Sequence, residues 1–350
     1  MNILYIYKSS IENKIKLVKE KKLPSNQLYG FYELKTLVSN ITAFDSSPIG
    51  LMKPIINFIN NKLKLNIKSF NTYKTIFNYD VILVKDNFST SITLLCLLLN
   101  KTVIYIDPVL RPPNNIIRLF IHRINFKLAS GSTIFSNTQY TTILDTHKLK
   151  SNKLKLIPFC LDTQFFSPSV SNTKETEPFI LSVGMDLGRD YETLIKSASE
   201  ININLKIVTL PYLLDSIDTK SSKIEILSNI SYDELFTLYA QATLVVIPLH
   251  NWAAQYSSGT TSLLEAKLLK KPIISSKSMP LIEYLNKEDG VLYVTPENKE
   301  ELTKAIKMLL NDSELLDSYS TAGYEKTKNE YNMTVFGNCL YKYIKDLHSK

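Results

Sequence analysis

The chain is expected to be α/β, built from two doubly wound parallel-sheet domains in tandem, and three observations carry that expectation. Apolar runs of strand length alternate with longer helical patterns along most of the sequence, the pattern of a parallel sheet covered on both faces. At 350 residues the chain exceeds one ordinary core and fits two. A polar, proline-bearing break near Leu161–Glu177 separates two such alternations, and the charge changes sign there.

In the first half the expected strands are Ile3–Tyr7, Ile41–Phe44, Val81–Lys85, Val103–Asp107, Thr133–Ser136 and Leu154–Pro158. Helical periodicity runs over Gln27–Val38, Ile55–Leu63, Ser91–Leu99, Asn114–Leu128 and Thr138–Leu149. In the second half the strands are Phe179–Val183, Leu205–Leu210, Ile224–Leu227, Thr243–Pro248, Pro272–Ser275 and Gly290–Val294. Its helices are Tyr191–Ser199, Tyr232–Gln241, Thr260–Leu269, Lys299–Leu310, Ser313–Glu330 and Thr334–Leu347. The domains are therefore set at 1–160 and 179–330, joined by a linker over 161–178 that includes Ser167-Pro168-Ser169. Residues 331–350 form a closing helix expected to pack back toward the first domain.

Composition narrows the class. A 44% apolar fraction with mean hydropathy near zero describes a soluble globular protein. Met1-Asn2 leads straight into an apolar strand, so no leader is expected, and the apolar run Ile92–Leu99 is too short for a bilayer span of about 20 residues. Cys96, Cys160 and Cys339 are odd in number and lack metal-ligand spacing, which points to a reducing, cytoplasmic setting without disulfides. Residues 1–170 carry 22 Lys+Arg against 9 Asp+Glu, whereas residues 171–350 carry 19 against 24. A basic first half implies an anionic partner such as a membrane surface, a polyanion or an acidic substrate; a merely solvated lysine-rich surface is the alternative.

No G-x-G-x-x-G follows the first strand and no G-x-x-x-x-G-K-[ST] occurs, which argues against a nicotinamide oxidoreductase and a P-loop ATPase. The four histidines include no pair at metal-ligand spacing, so no metal and no bound cofactor is expected. Nucleic-acid binding would rest on charge alone, because no interleaved aromatic and basic module is present.

What remains are two glycine-bearing turns. In Ser257–Ser275 a glycine and two threonines open a helix, which Lys271-Pro272 closes. A helix start presents unpaired N–H groups and the positive end of a dipole, so Ser258, Gly259, Thr260 and Thr261 suit a phosphate. Glu265 lies four residues after Thr261 on the same face, where a carboxylate can accept hydrogen bonds from ribose hydroxyls. The alternative is an ordinary amphipathic helix with Glu265 as a solvated acid. The other turn, V-G-M-D-L-G-R-D-Y-E-T-L, ends a strand at Gly184 and starts a helix near Asp190 with Arg189 at its mouth. Arg189 can clamp a diphosphate there, or else serve as a surface ion-pair partner of Asp186 or Asp190. His250, in P-L-H-N-W, can contact sugar or phosphate, or be merely structural.

Residues 179–330 resemble the nucleotide-sugar-binding half of retaining glycosyltransferases of the GT-B fold, family four. The likeness is carried by L-S-V-G with R-D-Y-E-T-L-I-K-S-A, by Y-D-E-L-F-T-L-Y-A-Q-A-T-L-V-V-I-P-L, by S-G-T-T-S-L-L-E-A-K-L-L-K-K-P-I-I-S and by L-Y-V-T-P-E-N-K-E-E-L-T-K-A-I-K-M-L-L-N-D. I-P-F-C-L-D-T-Q-F-F-S-P, 157–168, is similar to the family's interdomain linker. The resemblance implies two Rossmann-like domains and transfer of a hexose, with retained configuration, from a UDP- or GDP-sugar to a surface-glycan or lipid-linked acceptor. It gives Arg189 and Glu265 the catalytic roles, with Glu265 touching the ribose. The family's acidic motif is Glu, seven residues, Glu; Ser257 stands at its first position, and Met185 where an arginine is common.

On the acceptor side, Gly30 in Q-L-Y-G-F-Y-E-L, flanked by Tyr29 and Tyr32, falls where such enzymes carry a glycine-bearing loop, and Asp107 stands where a histidine ends the fourth strand. Arg111–Lys127 mixes basic with apolar residues, as would a helix at an anionic membrane or a buried helix with a basic outer face. The expected enzyme is cytoplasmic, either free or stationed at the inner face of the membrane. A catalytically silent GT-B-like partner subunit is the second reading, motivated by Ser257, Met185 and the missing histidine.

Overall fold

A computed structural model of the chain describes residues 1–8, 10–47, 53–63, 66–108, 115–167 and 177–349. They divide into two compact units, Met1–Cys160 with Met333–Lys350, and Leu161–Asn332. Arg111, Asn114 and the stretch 168–176 of the expected linker lie outside the described residues.

The first unit runs β1 (Asn2–Tyr7), α1 (Ile11–Lys19), α2 (Phe31–Leu37), β2 (Asn40–Asp45), α3 (Lys53–Leu63), α4 (Phe70–Ile76) and β3 (Val81–Lys85). It continues with α5 (Thr90–Leu98), β4 (Thr102–Ile106), α6 (Ile116–Leu128), β5 (Gly131–Ile134), α7 (Asn137–His147) and β6 (Leu154–Leu156). All strands pair in parallel, in the order β2-β1-β3-β4-β5-β6. Helices cover both faces, which is why β1, β3 and β4 are apolar nearly throughout and buried on both sides. Leu4, Ile6, Ile82, Val84, Tyr105 and Phe126 belong to one core cluster.

The second unit runs β7 (Phe179–Val183), α8 (Tyr191–Ile201), β8 (Asn204–Val208), β9 (Ile224–Leu227), α9 (Tyr232–Gln241) and β10 (Leu244–Ile247). It continues with α10 (Thr260–Leu268), β11 (Ile273–Ser276), α11 (Met279–Tyr284), β12 (Val291–Val294), α12 (Lys299–Asn311), α13 (Ser313–Thr321) and α14 (Tyr324–Glu330). Its sheet is also parallel, ordered β12-β11-β10-β7-β8-β9. The strand order reverses between β7 and β10, and in the first unit between β1 and β3. Such reversals open a crevice at the carboxyl ends of the strands, where doubly wound sheets bind ligands. Residues 161–167 pack within the second unit: Leu161 N–H donates to Tyr331 O at 2.8 Å, and Phe166 sits against Tyr232 and Phe236. The last helix, α15 (Met333–His348), returns to the first unit and packs on α2.

Three departures from the sequence expectation have local causes. The helix expected over Gln27–Val38 is broken, because Tyr29 (φ 48°) and Gly30 (φ 86°) are both left-handed. Two buried tyrosines fix that break: the hydroxyl of Tyr5 donates to Tyr29 O at 2.7 Å and that of Tyr7 to Leu28 O at 2.6 Å. The helix expected over Ser313–Glu330 is two, divided where Gly323 turns left-handed (φ 75°). Finally, Ser136 does not extend β5 but caps α7, accepting from Gln139 N–H at 3.1 Å.

Gly290, ahead of β12, has φ +74°, and a Cβ there would lie 2.5 Å from the backbone carbonyl of Tyr319. Because neither backbone can yield without shifting a packed element, Gly290→Ala is expected to destabilise the protein by about 2 kcal/mol or more. Chemical denaturation checks this; an unchanged midpoint would contradict it.

Candidate functional site

In the second unit the two glycine-bearing turns meet. Both leave the central pair of strands, one from the end of β7 and the other from the segment after β10, so the reversal of strand order brings them together. Gly184 closes β7, its N–H donating to Val208 O at 3.0 Å, and its carbonyl accepts from Tyr191 Oη (2.6 Å) and Thr209 Oγ1 (2.7 Å). Asp190 caps α8 by accepting from Thr193 N–H at 3.1 Å, so its carboxylate serves its own helix. Opposite, Gly259 (φ +87°) starts α10 without any side-chain cap.

Arg189 ties the turns together. Its Nε donates to Asp186 Oδ2 at 3.1 Å, and its Nη2 to Ser262 Oγ at 3.0 Å in the first turn of α10. Ser262 Oγ in turn donates to Val183 O at 2.7 Å. Asp186 is itself held by Gly188 N–H at 2.9 Å and by the hydroxyl of Ser258. The turn can close this tightly only without side chains: a Cβ on Gly184 would overlap the Arg189 guanidinium, and one on Gly188 would lie 2.7 Å from Ala253 Cβ. The ion pair with Asp186 therefore exists, but Arg189 is not at the surface, its side chain being 3% exposed. Its Nη1 is buried and makes no hydrogen bond among the described residues. A guanidinium nitrogen held at a helix start with a donor unspent is an anion-binding arrangement.

The remaining donor-side residues fall around this junction. Ser258 and Thr260 are buried and Thr261 is half-buried. The hydroxyl of Thr260 donates to Ser257 O at 3.0 Å. Glu265, one turn on, is 4% exposed and accepts from Tyr239 Oη at 3.3 Å, so it is not a solvated acid. Every residue of α10 from Ser262 to Leu268 is buried, so the helix is not an amphipathic surface helix either. Burial pushes the Glu265 carboxyl up to about 8, with the Tyr239 hydrogen bond and the Arg189 charge opposing. His250, whose N–H donates to Gly188 O at 2.9 Å, sits beside the junction. Its Nδ1 lies 2.9 Å from Glu297 Oε1 and its ring stacks over Trp252. Asp186 was legible only as an ion-pair alternative, and Ser262 and Tyr239 not at all, because each acts across elements distant in sequence.

In the first unit, Asp107 follows β4 with φ 46°. Its Oδ1 accepts from Gln139 Nε2 at 2.8 Å and its Oδ2 lies 3.8 Å from Lys85 Nζ at the end of β3. The ammonium of Lys85 stands 4.4 Å from the ring of Tyr29, next to Gly30. Gly30 itself faces α15: a Cβ there would lie 2.9 Å from Phe336 Cδ1. Gly30 thus serves packing, while Asp107 belongs to a polar cluster with Lys85. Among the described residues no group of three or more His, Cys, Asp or Glu is placed to hold a metal, and no helix is long and apolar enough to cross a membrane.

Residues 164–326, just under half of the chain and nearly all of the second unit, match the family model described as glycosyl transferases group 1. No curated protein matches the sequence significantly. Among solved structures, sucrose-phosphate synthase from Thermosynechococcus elongatus aligns over 100% of both chains with a TM-score of 0.74 at 14% identity. Anabaena HepE in complex with UDP-glucose aligns over 100% of both chains with a TM-score of 0.70 at 14% identity. A glycosyltransferase from Rickettsia africae covers 99% of this chain and 98% of its own, with a TM-score of 0.69 at 15% identity. At these identities the likeness is one of fold, and that fold is GT-B, with two Rossmann-like domains.

The buried Glu265 sets a pH dependence. Its carboxyl titrates near 4.5 when unfolded and near 8 when folded, so between these values the folded state binds more protons. Stability contributed here is lost as pH rises through that window. Glu265→Gln keeps an acceptor for Tyr239 without titrating, so it should flatten the fall in Tm between about pH 5 and 8. Parallel wild-type and variant curves would contradict the assignment.

Proposed function

We propose that this chain, whose second unit is a glycosyl transferases group 1 domain, takes a sugar from a UDP- or GDP-sugar held by that unit and passes it with retained configuration to an acceptor held by the first. The observation that carries the reading is Arg189, fixed between two turns with a buried nitrogen unspent at the mouth of α10. A diphosphate placed there gains the guanidinium and the helix-start amides together. The same groups stabilise the charge that develops on the departing phosphate, the main requirement of this displacement. As the bond from the anomeric carbon to the phosphate oxygen breaks, the acceptor hydroxyl oxygen bonds to that carbon on the same face. Its proton passes to the leaving phosphate, so no protein base and no metal is needed. Glu265 receives the ribose hydroxyls in this reading, and His250, oriented by Glu297, faces the sugar or phosphate.

The acceptor is a bacterial surface glycan or lipid-linked intermediate, and the enzyme works in the cytoplasm at the inner face of the membrane. Support for that station comes from neighbouring helices α5 and α6, where Leu98 is 83% exposed, Ile116 80% and Phe120 61%, and where Arg118 and Lys127 of α6 are exposed as well. Exposed apolar side chains among cations suit the interface of an anionic bilayer. The protein should therefore sediment with phosphatidylglycerol vesicles and not with neutral ones, and Ile116→Glu with Phe120→Glu should abolish this; equal behaviour with both lipids would sink the membrane reading.

Calorimetric titration with UDP and GDP tests the donor site. Arg189→Ala and Glu265→Ala should each weaken binding by about 1–3 kcal/mol, and absence of nucleotide binding by the wild type would refute the proposal. Ser257 and Met185, at positions where the family carries an acid and an arginine, favour a second reading, a catalytically silent binding subunit. Release of UDP from UDP-sugars in the presence of extracted membranes separates the two, since any enzyme-dependent turnover excludes silence.

A further inference from the structure

The polar cluster of the first unit is built at that sheet's own reversal of strand order, between β1 and β3, where a ligand crevice is expected. Lys85 ends β3, Lys14 lies on α1 directly after β1, and Asp107 follows β4. Two non-glycine residues here, Tyr29 (φ 48°) and Asp107 (φ 46°), are held in the left-handed region, a strain that persists only where surroundings over-determine it. The surroundings do so. Tyr29 O is bound by the buried Tyr5 hydroxyl, Asp107 N–H donates to Thr133 O at 3.0 Å, and Gln139 is oriented by accepting Phe135 N–H at 3.1 Å. Gln139 therefore presents its Nε2 to Asp107.

The charges of this cluster do not balance. Among the described residues Lys85 has Asp107 as its one ion pair, at 3.8 Å, beyond hydrogen-bonding reach, and Lys14 has none. Lys14 is half-buried, and burial together with the charge of Lys85 pushes its ammonium below the ordinary value. The charge of Lys85 thus bears on the ammonium of Lys14 at a ligand-binding edge, while the one carboxylate paired with Lys85, that of Asp107, is itself raised by burial. Lys85 spends its remaining contacts weakly, on Ile106 O at 3.4 Å and on the rings of Tyr29 and Phe135.

We propose that Lys14 and Lys85 together receive an anionic group of the acceptor, the carboxylate of an acidic sugar or the phosphate of a sugar phosphate, beside the ring of Tyr29. This names the substrate class of the acceptor side and rests on the glycosyltransferase reading. An oxyanion between the lysines would relieve their mutual repulsion, and Asp107 would oppose a second negative charge and so limit the site to one.

Ligand-observed NMR titrations of the full chain, with UDP saturating so that the Arg189 site is filled, provide the test. Galacturonate and glucose 6-phosphate are compared with glucose. At least one charged sugar should bind about tenfold or more tightly than glucose, and which of the two prevails identifies carboxylate or phosphate. Lys85→Ala and Lys14→Ala should each lose about tenfold of that affinity, Lys85→Arg should retain most of it, and Asp107→Asn should strengthen it. UDP affinity should be unchanged throughout. Equal binding of charged and uncharged sugars, or lysine variants that keep their affinity, would overturn the inference while leaving the donor site standing. Failure of the wild type to bind UDP would instead remove the reading beneath it.

Discussion

The second unit depends on one guanidinium. Arg189 reaches from the turn after β7 to Ser262 in the first turn of α10, and Asp186 locks it from behind. A charged group this buried is tolerable only when its hydrogen bonds are met, since removing a charge from water costs several kcal/mol. Two of its nitrogens are met by Asp186 and Ser262; the third is not met among the described residues. The glycines at 184 and 188 follow from this arrangement, because they let the backbone close around the guanidinium and its Asp186 partner. So does the extension of the network through Ser262 to Val183 O and through Ser258 to Asp186, which joins both turns to the sheet.

Helix α10 adds a second constraint. It is buried along its length, yet it carries an acid and a base two residues apart. Lys267, 0% exposed, donates to Gly290 O at 3.1 Å and Tyr319 O at 2.8 Å, so its ammonium stitches the helix to the segments before β12 and at the end of α13. Burial pushes that ammonium down to about 7, against the pull of Asp289, while it pushes Glu265 up to about 8. The two groups behave differently because their partners do: Lys267 is spent on carbonyls, whereas Glu265 accepts a single long bond from Tyr239 and retains capacity for more. The helix that carries the buried acid is thus anchored by a neighbouring lysine spent on backbone carbonyls.

The parallel sheets and the two glycine-bearing turns were legible because they depend on local signals: unbroken apolar runs such as Leu244–Ile247, glycines at strand ends, and Asp190 and Ser231 at helix starts. Helix α1 has a weak sequence signature, because its lysine-rich surface hides a single well-buried position, Ile11. Helices α4 and α11 have one too, because they are only about two turns long. The break at Tyr29 was not legible, since it is imposed by hydroxyls of a strand more than twenty residues away. The same holds for the candidate site: Arg189 and Glu265 stand out by their motifs, but the contacts of Asp186, Ser262, Tyr239 and Lys85 arise only when the strand order brings distant turns together. The charge split pointed to an anionic partner for the first half without saying where, and the proposed site at Lys14 and Lys85 is an answer that remains to be tested by titration.

The central claim is that Arg189 and the start of α10 form one diphosphate site. A crystal structure of the protein with UDP tests it most directly. A phosphate oxygen is expected within hydrogen-bonding distance of Arg189 Nη1 and of a backbone N–H between Gly259 and Thr261, with the ribose toward Glu265. UDP bound elsewhere, or its phosphates held without Arg189, would contradict it.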